Sequence, residues 1–179
     1  MPSTLSRAAL TTAQSFADLS RLLREGAERE AGRPMRDHLA LLSQHIESAL
    51  RLRRLHREPA DVLTAVDRLA QFVHQHRRFV TGLDSAWHSL YEMAAYQRAL
   101  RELTDVTGAW RLSLVQRSRS EPARFDAFEQ LAWRTLGEAL LLVDLYEQAD
   151  GPSTLVSLAP PRPAGLRERV MGWWRVLAG

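Results

Sequence analysis

Apolar residues recur along this chain at steps of three and four, the spacing of one helix face, and nowhere in the alternation of a half-buried strand. Leu5, Ala9, Ala13, Phe16, Leu19, Leu23 and Ala27 form the first stripe, predicting a helix from about Thr4 to Ala31. Gly32-Arg33-Pro34 breaks it. Met35, Leu39, Leu42, Ile46, Ala49 and Leu50 mark a second helix that reaches about Arg57. A third starts at Pro59, because proline's missing N–H has no partner in a first turn anyway. It runs to about Val80, with Val62, Val66, Leu69, Phe72 and Val73 inward. Thr81-Gly82 ends it, and Asp84 or Ser85 is placed to cap a fourth. The fourth stripe is Trp87, Leu90, Met93, Tyr96, Leu100, Leu103, Val106, Trp110 and Leu114, predicting one helix to about Ser118. Gly108 inside it predicts a bend or a close helix contact. After Ser120-Glu121-Pro122, the residues Phe125, Phe128, Ala132, Leu136, Ala139, Val143 and Tyr146 define a fifth helix to about Ala149.

Short connections between long helices make neighbours antiparallel. The expectation is an all-α, up-and-down bundle of about five helices over residues 1–150. Residues 151–165 hold four prolines and two glycines and read as a linker. Residues 166–179 read as a C-terminal amphipathic helix.

Composition sharpens this picture in three places. At 179 residues and 45% hydrophobic content, the chain suits one domain plus a tail. A chain of this size buries roughly 70% of its unfolded surface, enough to fold without staples. It has no cysteine, which removes disulfides, thiolate metal sites and thiol nucleophiles. All 24 basic residues are arginine, with a net charge of +3. Arginine forks suit phosphate and carboxylate, but so small a net charge does not demand a polyanionic partner. No run of about 18 apolar residues is present, so no membrane-spanning helix is expected. The N-terminus lacks the apolar core of a secretory signal. A cytoplasmic location is the expectation, with granule or membrane association if the tail binds a surface.

Candidate chemistry is sparse. His38 and His45, seven apart, share one side of the second helix. His88 and Glu92 are one turn apart, while His74 and His76 do not share a face. A di-iron bundle needs Glu-x-x-His spacing on two helices, and no glutamate here has a histidine three residues later. No metal site and no cofactor are expected, and the histidines read as solvated or hydrogen-bonded. There is no Gly-x-Ser-x-Gly elbow and no glycine-rich phosphate loop. No catalytic residue is assigned, and a non-enzymatic protein is expected. Trp87 and Trp110 are expected in the core.

Two segments offer contact surfaces. Arg51, Arg53, Arg54 and Arg57 end the second helix, either as phosphate contacts or as cations favoured by the negative end of the helix dipole. The tail places Leu166, Val170, Trp173 and Leu177 on one face, with Arg167, Arg169 and Arg175 around it and Trp174 alongside. Tryptophan beside arginine suits a partner groove or a lipid interface, and the same face equally suits docking on the chain's own bundle.

The segment Met93-Ala-Ala-Tyr-Gln-Arg-Ala-Leu-Arg-Glu-Leu-Thr-Asp-Val106, followed by a helix opened by Glu121-Pro-Ala-Arg-Phe125, resembles the accessory E subunit of class III polyhydroxyalkanoate synthases, and more loosely phasins. Tyr96, Gln97, Ala99, Leu100, Glu102, Thr104 and Val106 carry the likeness, which spans about residues 83–148. The arginine-only basicity and the Trp-Arg tail depart from that pattern. The resemblance implies a non-catalytic helical protein that binds a synthase catalytic subunit or coats a polyester granule. The expected function is therefore an accessory or scaffold protein that binds a partner protein or a hydrophobic surface, with a homo-oligomer open. The alternative is a nucleic-acid-associated subunit of a ribonucleoprotein that uses its arginines on phosphates.

Overall fold

The computed structural model describes residues 14–25 and 32–150. Six helices and no strand occur among them: α1 (Phe16–Glu25), α2 (Arg33–Arg54), α3 (Pro59–Thr81), α4 (Ser85–His88), α5 (Glu92–Val115) and α6 (Glu121–Asp150). The chain divides into two units, Met1–Gln148 and Ala149–Gly179. The predicted linker and tail helix lie outside the described residues, as do residues 1–13 and 26–31.

The four long helices form an up-and-down bundle. His38 of α2 stacks on Phe79 of α3, whereas His45, two turns later, stacks on Phe72, so the two helices run antiparallel. In the same sense His76 of α3 meets Tyr96 of α5, and Asp67 meets Arg111. Trp110 of α5 packs on Phe125 and Phe128 near the start of α6, whereas Glu102, earlier on α5, pairs with Arg134, later on α6. The ring closes where Arg53 of α2 meets Glu121 and Arg36 meets Glu147. The short α1 lies against α2 and α6, with Ser20 Oγ donating to the Ala40 carbonyl and Phe16 stacked 4.0 Å from Trp133.

Among the described residues, the predicted stripes are the core. Met35, Leu39, Leu42, Ile46, Ala49 and Leu50 are all buried, as are Val62, Val66, Leu69 and Val73. Trp87, Trp110, Phe128, Leu136 and Val143 are buried as well, while Phe72, Leu90, Val106, Leu114, Phe125 and Tyr146 pack partly covered at its edge.

The fourth predicted helix is two. It breaks at Ser89-Leu90-Tyr91, where Ser89 Oγ donates to the Ala86 carbonyl and Leu90 N–H turns back to Trp87. Asp84, not Ser85, caps α4, its Oδ1 accepting from the N–H groups of Ala86 and Trp87. The break lets Trp87 turn onto α6, where it stacks 3.7 Å from Tyr146 with the rings 7° apart. Gly108 marks no close contact, since a side chain there would meet open space.

Two helices end on a residue that is not glycine but is left-handed. His56 (φ 49°) and Arg117 (φ 48°) follow α2 and α5. In each case the N–H of the left-handed residue and that of the next one return to the last carbonyls: His56 to Arg53 and Arg57 to Leu52, then Arg117 to Leu114 and Ser118 to Ser113. This double closure is the Schellman arrangement. It ends the second predicted helix at Arg54, before Arg57.

Candidate functional site: an arginine-lined groove

Docking α1 across α2 leaves a groove of about 820 Å³ beside their far ends. Gln44, Ser48, Arg51 and Leu55 recur at steps of three and four on α2, so one exposed face of that helix forms a wall. Arg21 and Arg24 face it from α1, and Arg57 and Asp61 close its end at the α2–α3 turn. Leu52 and Leu55 supply its apolar surface, Leu55 being 54% exposed. The charge is mixed: Arg21 pairs with Glu25, and Glu47 Oε2 is buried in the wall without a hydrogen-bond partner.

The basic run that enters this groove is divided between two tasks. Arg53 turns away to α6, where Nε donates to Glu121 Oε1 at 2.7 Å and an Nη to Oε2 at 2.6 Å. The Trp110 indole donates to the same Oε1 at 3.0 Å, and the guanidinium lies 5.4 Å over the Phe125 ring. The Glu121 hydrogen bond raises the Arg53 pKa above its ordinary value. Burial alone would raise the Glu121 carboxyl, but the hydrogen bonds from Arg53 and Trp110 hold it below the ordinary value. Arg54 pairs with Glu129. Arg51 and Arg57 are exposed and have no acidic partner among the described residues. Of the four proposed phosphate contacts, two therefore serve bundle closure and two remain in the groove.

A second polar cluster lies in the core between α2, α3 and α5. His76 and Tyr96 are fully buried, and Nε2 of the one shares a hydrogen bond with Oη of the other. Burial, then the neighbouring His38, lowers His76 to about 3, and burial raises Tyr96. His38 sits 5.6 Å from His76, centroid to centroid. Burial also lowers His38, against the opposing charge of Asp37, and lowers His45 with help from Arg68. The pattern for His76 was present in the sequence: Leu69, Val73, His76 and Val80 continue one buried stripe at steps of four, three and four. His74 and His88 are exposed. No cluster of three or more His, Cys, Asp or Glu suited to a metal ion occurs among the described residues.

The residues that carry the synthase-subunit resemblance fall on α5. Tyr96, Ala99 and Leu100 are buried and Val106 packs at the core edge, so packing accounts for four of the seven pattern residues. The tail residues Leu166, Arg167, Arg169, Val170, Trp173, Trp174, Arg175 and Leu177 lie outside the described residues. No helix among the described residues is long and apolar enough to cross a membrane. Compared with protein-family models, curated proteins and solved structures, the chain matches none.

Proposed function

We propose that this chain is a non-catalytic helical accessory or scaffold protein that binds a partner protein, with the α1–α2 groove as the contact on its bundle. The observation that carries this reading is the pairing of exposed Leu55 with Arg51 and Arg57 in one concave surface. Apolar area next to unpaired arginine is the chemistry of a partner anchor site. Glu47 and Asp61 in the same groove favour a polypeptide over a phosphate backbone, which would meet repulsion there. A synthase catalytic subunit is the partner suggested by the likeness along α5. The Trp-Arg tail is the second contact suggested by the sequence, toward the same partner or a granule or membrane surface.

The test is affinity capture with three forms: the full chain, a form ending at Asp150, and Leu55→Asp. The reading expects one partner, recovered by the full chain, lost on Leu55→Asp and tolerant of added salt. Recovery unchanged by Leu55→Asp would remove the groove from the interface. Capture dominated by nucleic acid and abolished by moderate salt would favour the ribonucleoprotein alternative instead.

A further inference from the structure

Several arginines reach a carboxylate on a neighbouring helix: Arg53 takes Glu121, Arg111 takes Asp67 and Arg134 takes Glu102. Arg77 of α3 and Arg101 of α5 do not. Neither has an acidic partner among the described residues, yet both line one cavity of about 250 Å³ between their helices. Gln97 and Thr81 complete its polar lining, and Val80 and Leu100, each 1% exposed, form its apolar wall. No carboxylate lines it.

We propose that this cavity binds a single phosphate group of a small ligand. Arg77 is half-buried and Arg101 exposed at the cavity, and an anion between them is attracted by both. Arg77 lies near the C-terminal end of α3, where the helix dipole favours a cation. Arg101 lies in the middle of α5, away from either end of the helix dipole. Guanidinium forks from two opposed helices match the oxygens of a phosphate. The Gln97 amide supplies a further donor, whereas the Thr81 hydroxyl is spent on the Arg77 carbonyl and offers lone pairs alone. The volume falls below the roughly 300–1,000 Å³ of pockets for drug-sized ligands, so it suits a phosphate group and not a whole nucleotide. Of the acids on α5, Glu102 is held by Arg134, and Asp105, one turn on from Arg101, is outside the lining. This site is separate from the α1–α2 groove and does not depend on the reading of it.

The experiment is a calorimetric titration of the full chain with inorganic phosphate at low salt. It is repeated on Arg101→Gln, on Arg77→Gln and on Arg124→Gln, which alters an exposed arginine of α6. Saturable one-site binding is expected, weakened about ten-fold or more by either pocket variant and unchanged by Arg124→Gln. Melting curves of the variants separate lost binding from lost fold. The absence of saturable binding at millimolar phosphate would overturn the proposal. So would a loss shared equally by Arg124→Gln, or binding seen solely with phosphatidylglycerol vesicles or an oligonucleotide, since each describes a diffuse cationic surface.

Discussion

Arg36 and Glu147 form an ion pair of 2.9 Å in which both side chains are at least nine-tenths buried. Each charge sits at the unfavourable end of its own helix, Arg36 in the first turns of α2 and Glu147 in the last turns of α6. Because the helices run antiparallel, each also sits at the favourable end of the other. The pair therefore fixes the direction of α6 against α2 as well as their contact.

Gly32 makes room for that pair. A Cβ there would stand 2.8 Å from Cδ and 2.9 Å from Cγ of Glu147. Its φ of −87° is open to any residue, so the glycine answers a need for space and not for backbone freedom. Gly32→Ala must shift the end of the Glu147 side chain against Arg36, and breaking a buried pair outright costs about 3–5 kcal/mol. The expected outcome is a loss of about 2–4 kcal/mol in urea unfolding, allowing for relaxation of the flexible Glu147 side chain. Glu147→Gln should move stability in the same direction. A Gly32→Ala protein as stable as the wild type would mean that the pair re-forms elsewhere.

The helices were legible because burial in a bundle follows the 3.6-residue period closely, as the unbroken inward run from Met35 to Leu50 illustrates. The break at Ser89-Leu90-Tyr91 was not legible. Trp87, Leu90 and Met93 keep three-residue spacing on either side of it, and that spacing reads the same for one helix or two. The roles of Arg53 and Arg54 were hidden for a different reason. Their carboxylates lie 68 and 75 residues away, and the choice of partner emerges once α6 docks on α2. The groove was hidden for the same reason, since the crossing of α1 over α2 creates it.

The two left-handed helix ends carry a removable penalty. An L-residue in that conformation costs about 1–2 kcal/mol, and glycine avoids most of it. His56→Gly and Arg117→Gly should each stabilise the bundle by about 0.5–1 kcal/mol, raising the melting temperature by roughly 1–4 °C for a chain of this size. Differential scanning calorimetry of the two single variants is the check. A drop in either would show that the replaced side chain makes a stabilising contact of its own.

Glu121 is held by three donor groups, two from Arg53 and one from Trp110. Glu121→Gln keeps the shape but loses the charge, leaving Arg53 beside an amide. The expected loss is about 1.5–3 kcal/mol at pH 7. Its pH dependence has a definite sign. The folded carboxyl is lowered relative to 4.5, so its stabilisation is complete above 4.5 and is lost as pH falls through the folded value. Wild type and Glu121→Gln should therefore converge in stability as pH falls through that lowered folded value.

The His76–Tyr96 pair sets the behaviour at milder acidity. His76 titrates near 3 in the fold and near 6.5 unfolded, so the unfolded chain binds the extra proton first. Stability from this site is complete above 6.5, declines as pH falls from 6.5 and is gone below 3. The span corresponds to on the order of 5 kcal/mol as an upper bound. His38 and His45 are lowered as well and add to the same slope, His38 partly offset by Asp37 and His45 steepened by Arg68. Replacing His76 alone would strand the Tyr96 hydroxyl in the core, so the informative variant is His76→Phe with Tyr96→Phe, which removes both polar partners together. Urea midpoints at pH 7, 6, 5 and 4 should fall steeply for the wild type and clearly less for the double variant, with a residual slope from His38 and His45. Equal slopes would mean that His76 is protonated in the folded bundle without penalty, and the buried neutral pair would have to be abandoned.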